Sequence, residues 1–155
     1  MKVLLLGLGN PILSDDGVGL YVAREVAKSI PGLDLLATQM VGVDVLEALV
    51  GYDKVVVIDA ATGIGTHLGD LVHVDQPDGM LHLFSSHGVN FFDLLRLGTD
   101  LGLDMPEVEA IYGIEIGTDV SFGHQFSPDL STCLESLVVR IANDIGARLA
   151  IQTTE

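Results

Sequence analysis

The chain has 155 residues, of which 48% are apolar, and its 22 acidic and 7 basic residues give a formal net charge of −15. This length suits one folded domain with a sizeable core, so residues 1–155 are taken as a single domain, and the apolar content excludes intrinsic disorder. The acidic excess argues against a nucleic-acid partner, because binding a phosphate backbone needs a basic surface.

No run of 18 uninterrupted apolar residues is present, and the opening "MKVLLLGLGNP" turns to Gly, Asn and Pro too early for a signal peptide. We therefore expect a cytoplasmic protein with no membrane partner, and we take it to be a monomer. The single cysteine, Cys133, excludes an internal disulfide and a thiolate metal cluster within one chain.

Apolar runs alternate along the chain with segments of 3.6-residue periodicity, which is typical of a parallel sheet covered by helices on both faces. The predicted strands are residues 2–8, 33–39, 54–60, 69–75 and 108–116. The predicted helices are residues 18–27, 43–50, 90–101 and one long C-terminal helix whose apolar stripe runs over 130–149. The β-branched run "KVVVIDA" predicts a central strand, and the alternating "GDLVHVD" an edge or antiparallel strand. These elements predict a three-layer α/β fold with a mostly parallel sheet.

Ligands of such sheets bind beyond the carboxyl ends of the strands, where the stretch "GLGNPILSDDGVGL" follows the first strand. It lacks the third glycine of a dinucleotide-binding loop, and Asp15 and Asp16 would repel a pyrophosphate, so that site is excluded. One of the two aspartates can cap the following helix. The other is then free to bind a cation or to carry a proton.

Asp59 ends the predicted central strand, at the same edge of the sheet. A carboxylate there is costly to desolvate unless other groups satisfy it. Backbone amides just ahead of it could do so, as in an Asx turn, and a functional role is the alternative.

The five histidines differ in their sequence surroundings. His67, His73 and His82 lie in polar or alternating segments and are predicted to be on the surface, and His124 is predicted to lie in a loop. His87, just before the predicted helix 90–101, is the histidine best placed to reach the edge that holds Asp16 and Asp59. Two carboxylates and one imidazole from three loops would form an open metal site.

The chain resembles the maturation endopeptidases of nickel–iron hydrogenases over nearly its whole length. The segments that carry the resemblance are "GLGNPILSDDGVG", "VVVIDA", "SSHGVNFFDLL", "YGIEIG" and "FSPDLS". The opening motif is the most specific of them.

The resemblance implies that Asp16, Asp59 and His87 bind a metal together, and that Asp16 and Asp59 are the catalytic residues. It leaves Asp15 to cap the helix. It also implies a three-layer αβα fold with a twisted five-stranded sheet, in agreement with the fold predicted from the residue pattern.

The implied reaction is hydrolysis of one peptide bond near the C-terminus of the hydrogenase large-subunit precursor, after nickel has been inserted. The nickel belongs to the precursor and is the feature that the three ligands recognise. A metal-bound hydroxide or an aspartate acting as general base could carry out the attack, and both routes stay open.

One segment departs from the family pattern. Many members carry an acidic residue followed by Gly-Gly or Gly-Thr after the second strand, whereas this chain has "QMVGVD" over residues 39–44. Gly42 matches the glycine, and the acid is missing or displaced to Asp44, which bears on substrate choice.

Two other functions compete with this hypothesis. Peptidyl-tRNA hydrolases also open with "GLGNP", but the continuation "ILSDDGVGL" and the net charge of −15 argue against a tRNA substrate. A non-catalytic α/β adaptor that only binds the large subunit is the other alternative.

Overall fold

The computed structural model describes residues 1–39, 41–74, 79–83, 89–118 and 121–151. Its five-stranded sheet has the order β2-β1-β3-β5-β4, in which β4 is antiparallel to β5 and the other neighbours are parallel. The strands are β1 (Val3–Leu8), β2 (Leu33–Thr38), β3 (Lys54–Ala61), β4 (Leu71–His73) and β5 (Glu107–Glu115). The prediction of a mostly parallel sheet with β3 at its centre and an antiparallel strand at its edge is confirmed.

The helices are α1 (Val18–Ser29), α2 (Val43–Leu49), α3 (Phe91–Asp100), α4 (Pro128–Ser131) and α5 (Leu134–Leu149). A short 3₁₀ helix, Ser14–Gly17, precedes α1 directly. No helix within the described ranges combines the length and the apolar character that crossing a bilayer requires.

The sheet is covered on both faces because the side chains of a strand alternate between its two sides. All six residues of β1 are buried. Val3 and Leu5 pack in one core with residues of α1 and α5, while Leu4, Leu6 and Leu8 pack in a second core with residues of α2 and α3. These two cores make the three layers of the predicted αβα fold.

The predicted long C-terminal helix is wrong in one respect, since it is divided into α4 and α5. At the break, the Thr132 hydroxyl donates to the Asp129 carbonyl at 2.8 Å and the Cys133 thiol donates to the Leu130 carbonyl at 3.1 Å. Such local side-chain bonds to the backbone compete with continuation of a helix. The apolar stripe continues across the break, which is why periodicity alone did not reveal it.

Candidate active site

Asp16 lies in the 3₁₀ helix that joins β1 to α1, at the carboxyl edge of the sheet. The loop around residue 123 braces this turn, because Ser14 N donates to the Gly123 carbonyl at 2.9 Å and Gly123 N donates to the Ile12 carbonyl at 2.8 Å. Ser14 has a φ of 46°, in the left-handed region that few residues other than glycine adopt. The backbone that carries Asp16 is therefore fixed by contacts from a distant part of the chain.

The glycines of the opening motif serve close packing. A Cβ on Gly19, in the first turn of α1, would lie 2.1 Å from the Leu8 carbonyl oxygen and 3.1 Å from the Cα of Asp59. A Cβ on Gly9 would lie 2.6 Å from the Asp16 carbonyl oxygen. The missing side chains let α1 and the 3₁₀ helix approach the ends of β1 and β3, which brings Asp16 towards Asp59.

The segment 79–83 runs beside the end of β3. Thr62 N donates to the Gly79 carbonyl at 2.9 Å, and Leu81 N donates to the Ala60 carbonyl at 3.0 Å. These bonds place His82 next to Asp59, which is itself fully buried.

His82 joins the two aspartates. Its Nδ1 lies 2.7 Å from Asp59 Oδ1, and its Nε2 lies 2.8 Å from Asp16 Oδ2. The His82 side chain is 13% exposed, against 7% for Asp16 and 0% for Asp59. Asp16 and Asp59 are called the aspartate pair below.

Backbone amides complete the surroundings of Asp59. Its Oδ2 accepts from His82 N at 2.9 Å and from Leu83 N at 3.1 Å. These amides lie 23 and 24 residues further along the chain, so they do not form the Asx turn that was the structural alternative for Asp59.

The two sides of the Asp59–His82 contact respond differently to burial. Burial raises the pKa of Asp59, against the hydrogen bonds from His82 and Leu83 that lower it. Burial alone would lower the pKa of His82, but the hydrogen bonds to Asp16 and Asp59 outweigh it and raise the pKa to about 9. The two carboxylates thus favour the protonated ring, in which both nitrogens donate.

The prediction that His82 is a surface residue is wrong. The immediate sequence neighbours of His82 are apolar, "MLHLF" over residues 80–84, and the pairing of segment 79–83 with β3 turns the ring inward. His67, His73 and His124 are exposed as predicted, with His124 in a loop. The sequence signals that could have drawn attention to His82 are this apolar run and its position in the same stretch as His87, between β4 and α3.

The prediction that Asp15 caps α1 is also wrong. Gly17 occupies the N-cap position, with no side-chain cap bond. Asp15 is buried, and its carboxylate accepts from Ser127 N at 2.6 Å and from the Ser127 hydroxyl at 2.7 Å. Asp15 thus ties the 3₁₀ helix to the start of α4, 112 residues away.

Glu115, at the end of β5, is a fourth buried carboxylate at this edge, and no sequence motif singled it out. Its Oε1 accepts from Ile64 N at 3.1 Å and Gly65 N at 3.0 Å, and its Oε2 accepts from Gly117 N at 3.2 Å. These bonds hold the loop that follows β3.

His87 lies outside the described residues, so its predicted role as a metal ligand stays a prediction. Within the ranges that are described, no three His, Cys, Asp or Glu side chains are grouped so that they could hold a metal ion. Asp16 Oδ2 and Asp59 Oδ1 lie on opposite sides of the His82 ring. With the ring between them, these two oxygens are too far apart to bind one ion at the usual metal–oxygen distance of about 2.0–2.2 Å. Carboxylates and imidazole are nevertheless donors that a divalent transition ion accepts.

The departure from the family pattern lies at the start of α2. Gly42 is the N-cap residue, and Asp44 is exposed in the first turn of the helix. Met40 lies outside the described residues.

No family model matches the chain, and no curated protein matches its sequence. Solved structures do match it. The hydrogenase maturating endopeptidase HybD from E. coli has a TM-score of 0.79 at 17% identity, covering 99% of this chain and 97% of that one. The [NiFe] hydrogenase maturation protease HybD from Thermococcus kodakarensis has a TM-score of 0.70 at 25% identity, covering 94% of this chain and 99% of that one.

A third solved structure, the [NiFe] hydrogenase maturation protease HycI from Thermococcus kodakarensis KOD1, has a TM-score of 0.66 at 22% identity, covering 92% of this chain and 90% of that one. The chain has the fold of the hydrogenase maturation proteases. The resemblance drawn from the sequence motifs is confirmed, and it extends over nearly the full length of these proteins.

Proposed function

We propose that this chain is an endopeptidase that removes the C-terminal extension of a nickel-loaded hydrogenase large-subunit precursor. The observation that carries the proposal is the position of Asp16 and Asp59, two buried carboxylates that meet at the carboxyl edge of a sheet with the maturation-protease fold. Ligands of parallel α/β sheets bind at this edge.

The nickel in this proposal belongs to the substrate. Asp16 and Asp59 contact the ion in the precursor, His87 supplies an imidazole, and the cysteines of the precursor supply softer ligands. A precursor without nickel offers these side chains nothing to bind, so cleavage waits until the metal has been inserted. The free protein therefore binds nickel weakly.

Hydrolysis needs a group that takes a proton from the attacking water, or a metal ion that makes the water acidic. Both routes use the aspartate pair, either as general base or as ligands of the nickel. Asp16→Asn and Asp59→Asn remove the negative charge in either case while nearly preserving the shape of the side chain.

The test is a cleavage assay with nickel-loaded and nickel-free forms of a large-subunit precursor from the same genome. We expect the loaded form to lose its C-terminal extension and the nickel-free form to stay intact, as read by mass spectrometry. Equal cleavage of both forms, or tight stoichiometric nickel binding by the free protein in calorimetry, would refute the role given to the ion.

The adaptor hypothesis makes the opposite prediction for the same carboxylates. A protein that only binds the large subunit would support processing equally well after Asp16→Asn or Asp59→Asn. The burial of both aspartates around one ring favours the peptidase, since an adaptor has no use for two carboxylates that are costly to bury.

A further inference from the structure

We propose that His82 is a positioning residue that holds the aspartate pair in the free protein and must release Asp16 before the pair can take up a divalent ion. This inference rests on the proposed function, since it concerns how the same two carboxylates meet the nickel of the precursor. It assigns a role to a second histidine of the site, apart from the predicted ligand His87.

The two carboxylates are held to the segment around His82 by different numbers of hydrogen bonds. On the Asp59 side, the carboxylate accepts from Nδ1 of the ring and from the backbone amides of His82 and Leu83. On the Asp16 side, the ring makes one hydrogen bond, from Nε2 at 2.8 Å. Rotation of the ring away from Asp16 breaks both of its bonds to the carboxylates and leaves the two backbone bonds to Asp59 in place.

The ring and a divalent ion compete for the same oxygens. In the free protein the His82 ring lies between two carboxylates that are 7% and 0% exposed and binds both of them. An ion bound by both carboxylates would have to occupy the place of the ring. Binding of a free ion is therefore opposed by the loss of the hydrogen bonds between the ring and the carboxylates, which lowers the apparent affinity.

This competition favours the ion in the precursor over free ions. A free divalent ion brings only water as further ligands, so it gains little when it displaces the ring. Nickel in the precursor arrives with the whole protein–protein contact, which can offset the loss. His82 thus weakens the binding of free metal ions at this site but still allows the binding of the ion in the substrate.

The experiment is isothermal titration of the purified full chain with Ni²⁺ alone. His82→Gln keeps the length of the side chain but removes its charge, and His67→Gln is the matched control, since the His67 side chain is 84% exposed. We expect His82→Gln to bind Ni²⁺ about tenfold more tightly than the unmodified protein or better, and His67→Gln to bind it as the unmodified protein does. The gain should vanish in His82→Gln combined with Asp16→Asn.

Unchanged or weaker Ni²⁺ binding by a folded His82→Gln protein overturns the inference, and so does a gain that survives Asp16→Asn. A cleavage assay of the unmodified protein, run in parallel on nickel-loaded precursor, separates the two proposals. If that precursor is cleaved while His82→Gln gains no affinity, the role of His82 falls and the proposed function stands. If the precursor is not cleaved, the proposed function is refuted, and with it the role of His82 that rests on it.

A second measurement needs no variant and covers the case in which His82→Gln does not fold. In the unmodified protein, both imidazole N–H protons of His82 should give downfield proton signals, because both are hydrogen-bonded. Saturation with diamagnetic Zn²⁺ should remove the Nε2–H signal first. Persistence of both signals in the zinc-bound protein contradicts the release of Asp16.

Discussion

Two groups of buried carboxylates lie at the carboxyl edge of the sheet and are satisfied in different ways. Glu115 accepts from three backbone amides, and Asp15 accepts from the amide and hydroxyl of Ser127. Asp16 and Asp59 instead share the ring of His82. Asp15 and Glu115 are called the loop anchors below.

This difference in partners distinguishes carboxylates with a structural role from those that can take part in the reaction. The partners of the loop anchors are backbone amides and a hydroxyl that cannot leave without opening the loops that they hold. The partner that Asp16 and Asp59 share is a side chain that can rotate, so it can be exchanged for another group, while the amides of His82 and Leu83 keep Asp59 in place. Adjacent residues, Asp15 and Asp16, thus belong to different groups.

The largest expected effect is on processing. Asp16→Asn and Asp59→Asn should each lower the rate of precursor cleavage by at least about a hundredfold, because general acid–base groups contribute about 10²–10⁴-fold. Circular dichroism should show a folded protein for each. Asp144→Asn, on a half-exposed carboxylate of α5, is the control and should cleave normally. Normal cleavage by Asp16→Asn or Asp59→Asn would show that the aspartate pair, like the loop anchors, is not needed for catalysis.

Glu115→Ala should act on stability instead. It leaves the amides of Ile64, Gly65 and Gly117 without their acceptor, which we expect to cost about 1–3 kcal/mol of the free energy of unfolding in urea titrations. Glu115→Gln retains one acceptor oxygen and should cost less. Cleavage per folded molecule should fall by less than about tenfold, an order of magnitude below the effect at the aspartate pair. A hundredfold loss would move Glu115 into the catalytic group.

Asp15→Ala should lower the free energy of unfolding by about 1–2 kcal/mol through the lost contact with Ser127. A double-mutant cycle with Ser127→Ala measures this contact directly. We expect the two substitutions together to cost less than their sum, because both remove the bond from the Ser127 hydroxyl, while the bond from the Ser127 backbone N is lost only in Asp15→Ala. Additive losses would mean that Asp15 stabilises the protein in some other way.

The smallest effect concerns Asp144, which lies away from the edge and accepts from Tyr112 and Arg148. Burial would raise the pKa of Asp144, but these bonds lower it below its ordinary value. Its stabilisation is therefore present above the ordinary pKa and is lost as the pH falls through the lowered one. The difference in unfolding free energy between the unmodified protein and Asp144→Asn should be at most about 1 kcal/mol, since the carboxylate is 46% exposed and screened by solvent.

The measurement is urea unfolding of both proteins at a series of pH values. The difference should stay constant near neutrality and shrink as the pH falls below about 4, the range in which aspartate titrates. A difference that grows on acidification would contradict the lowered pKa.

The sequence predicted the sheet well because the apolar runs of β1 and β3 are continuous and local. A strand buried on both faces must be apolar throughout, whatever packs against it, so the pattern can be recognised without knowing its neighbours. The strand assignments also located Asp16, which follows the first predicted strand, and Asp59, which lies at the end of the central one, because ligands bind at that edge of the sheet. The start of α1 at Val18 was also predicted correctly.

The partners of the buried carboxylates could not be predicted in this way. His82 meets Asp16 from 66 residues away, and Ser127 meets Asp15 from 112 residues away. The apolar neighbours of His82 in the sequence favour burial, but the groups that its ring meets depend on the pairing of residues 79–83 with β3.

What the sequence determined by itself is therefore the layered fold and the two strand ends that present the aspartates. Both follow from the polarity of residues close to each other in the chain. What only the tertiary structure decided is which partner each buried carboxylate has: backbone amides and a serine hydroxyl, or a histidine ring that can rotate. That choice depends on contacts between segments far apart in the sequence, and the energy of burying a charge is settled only when such a segment supplies its partner.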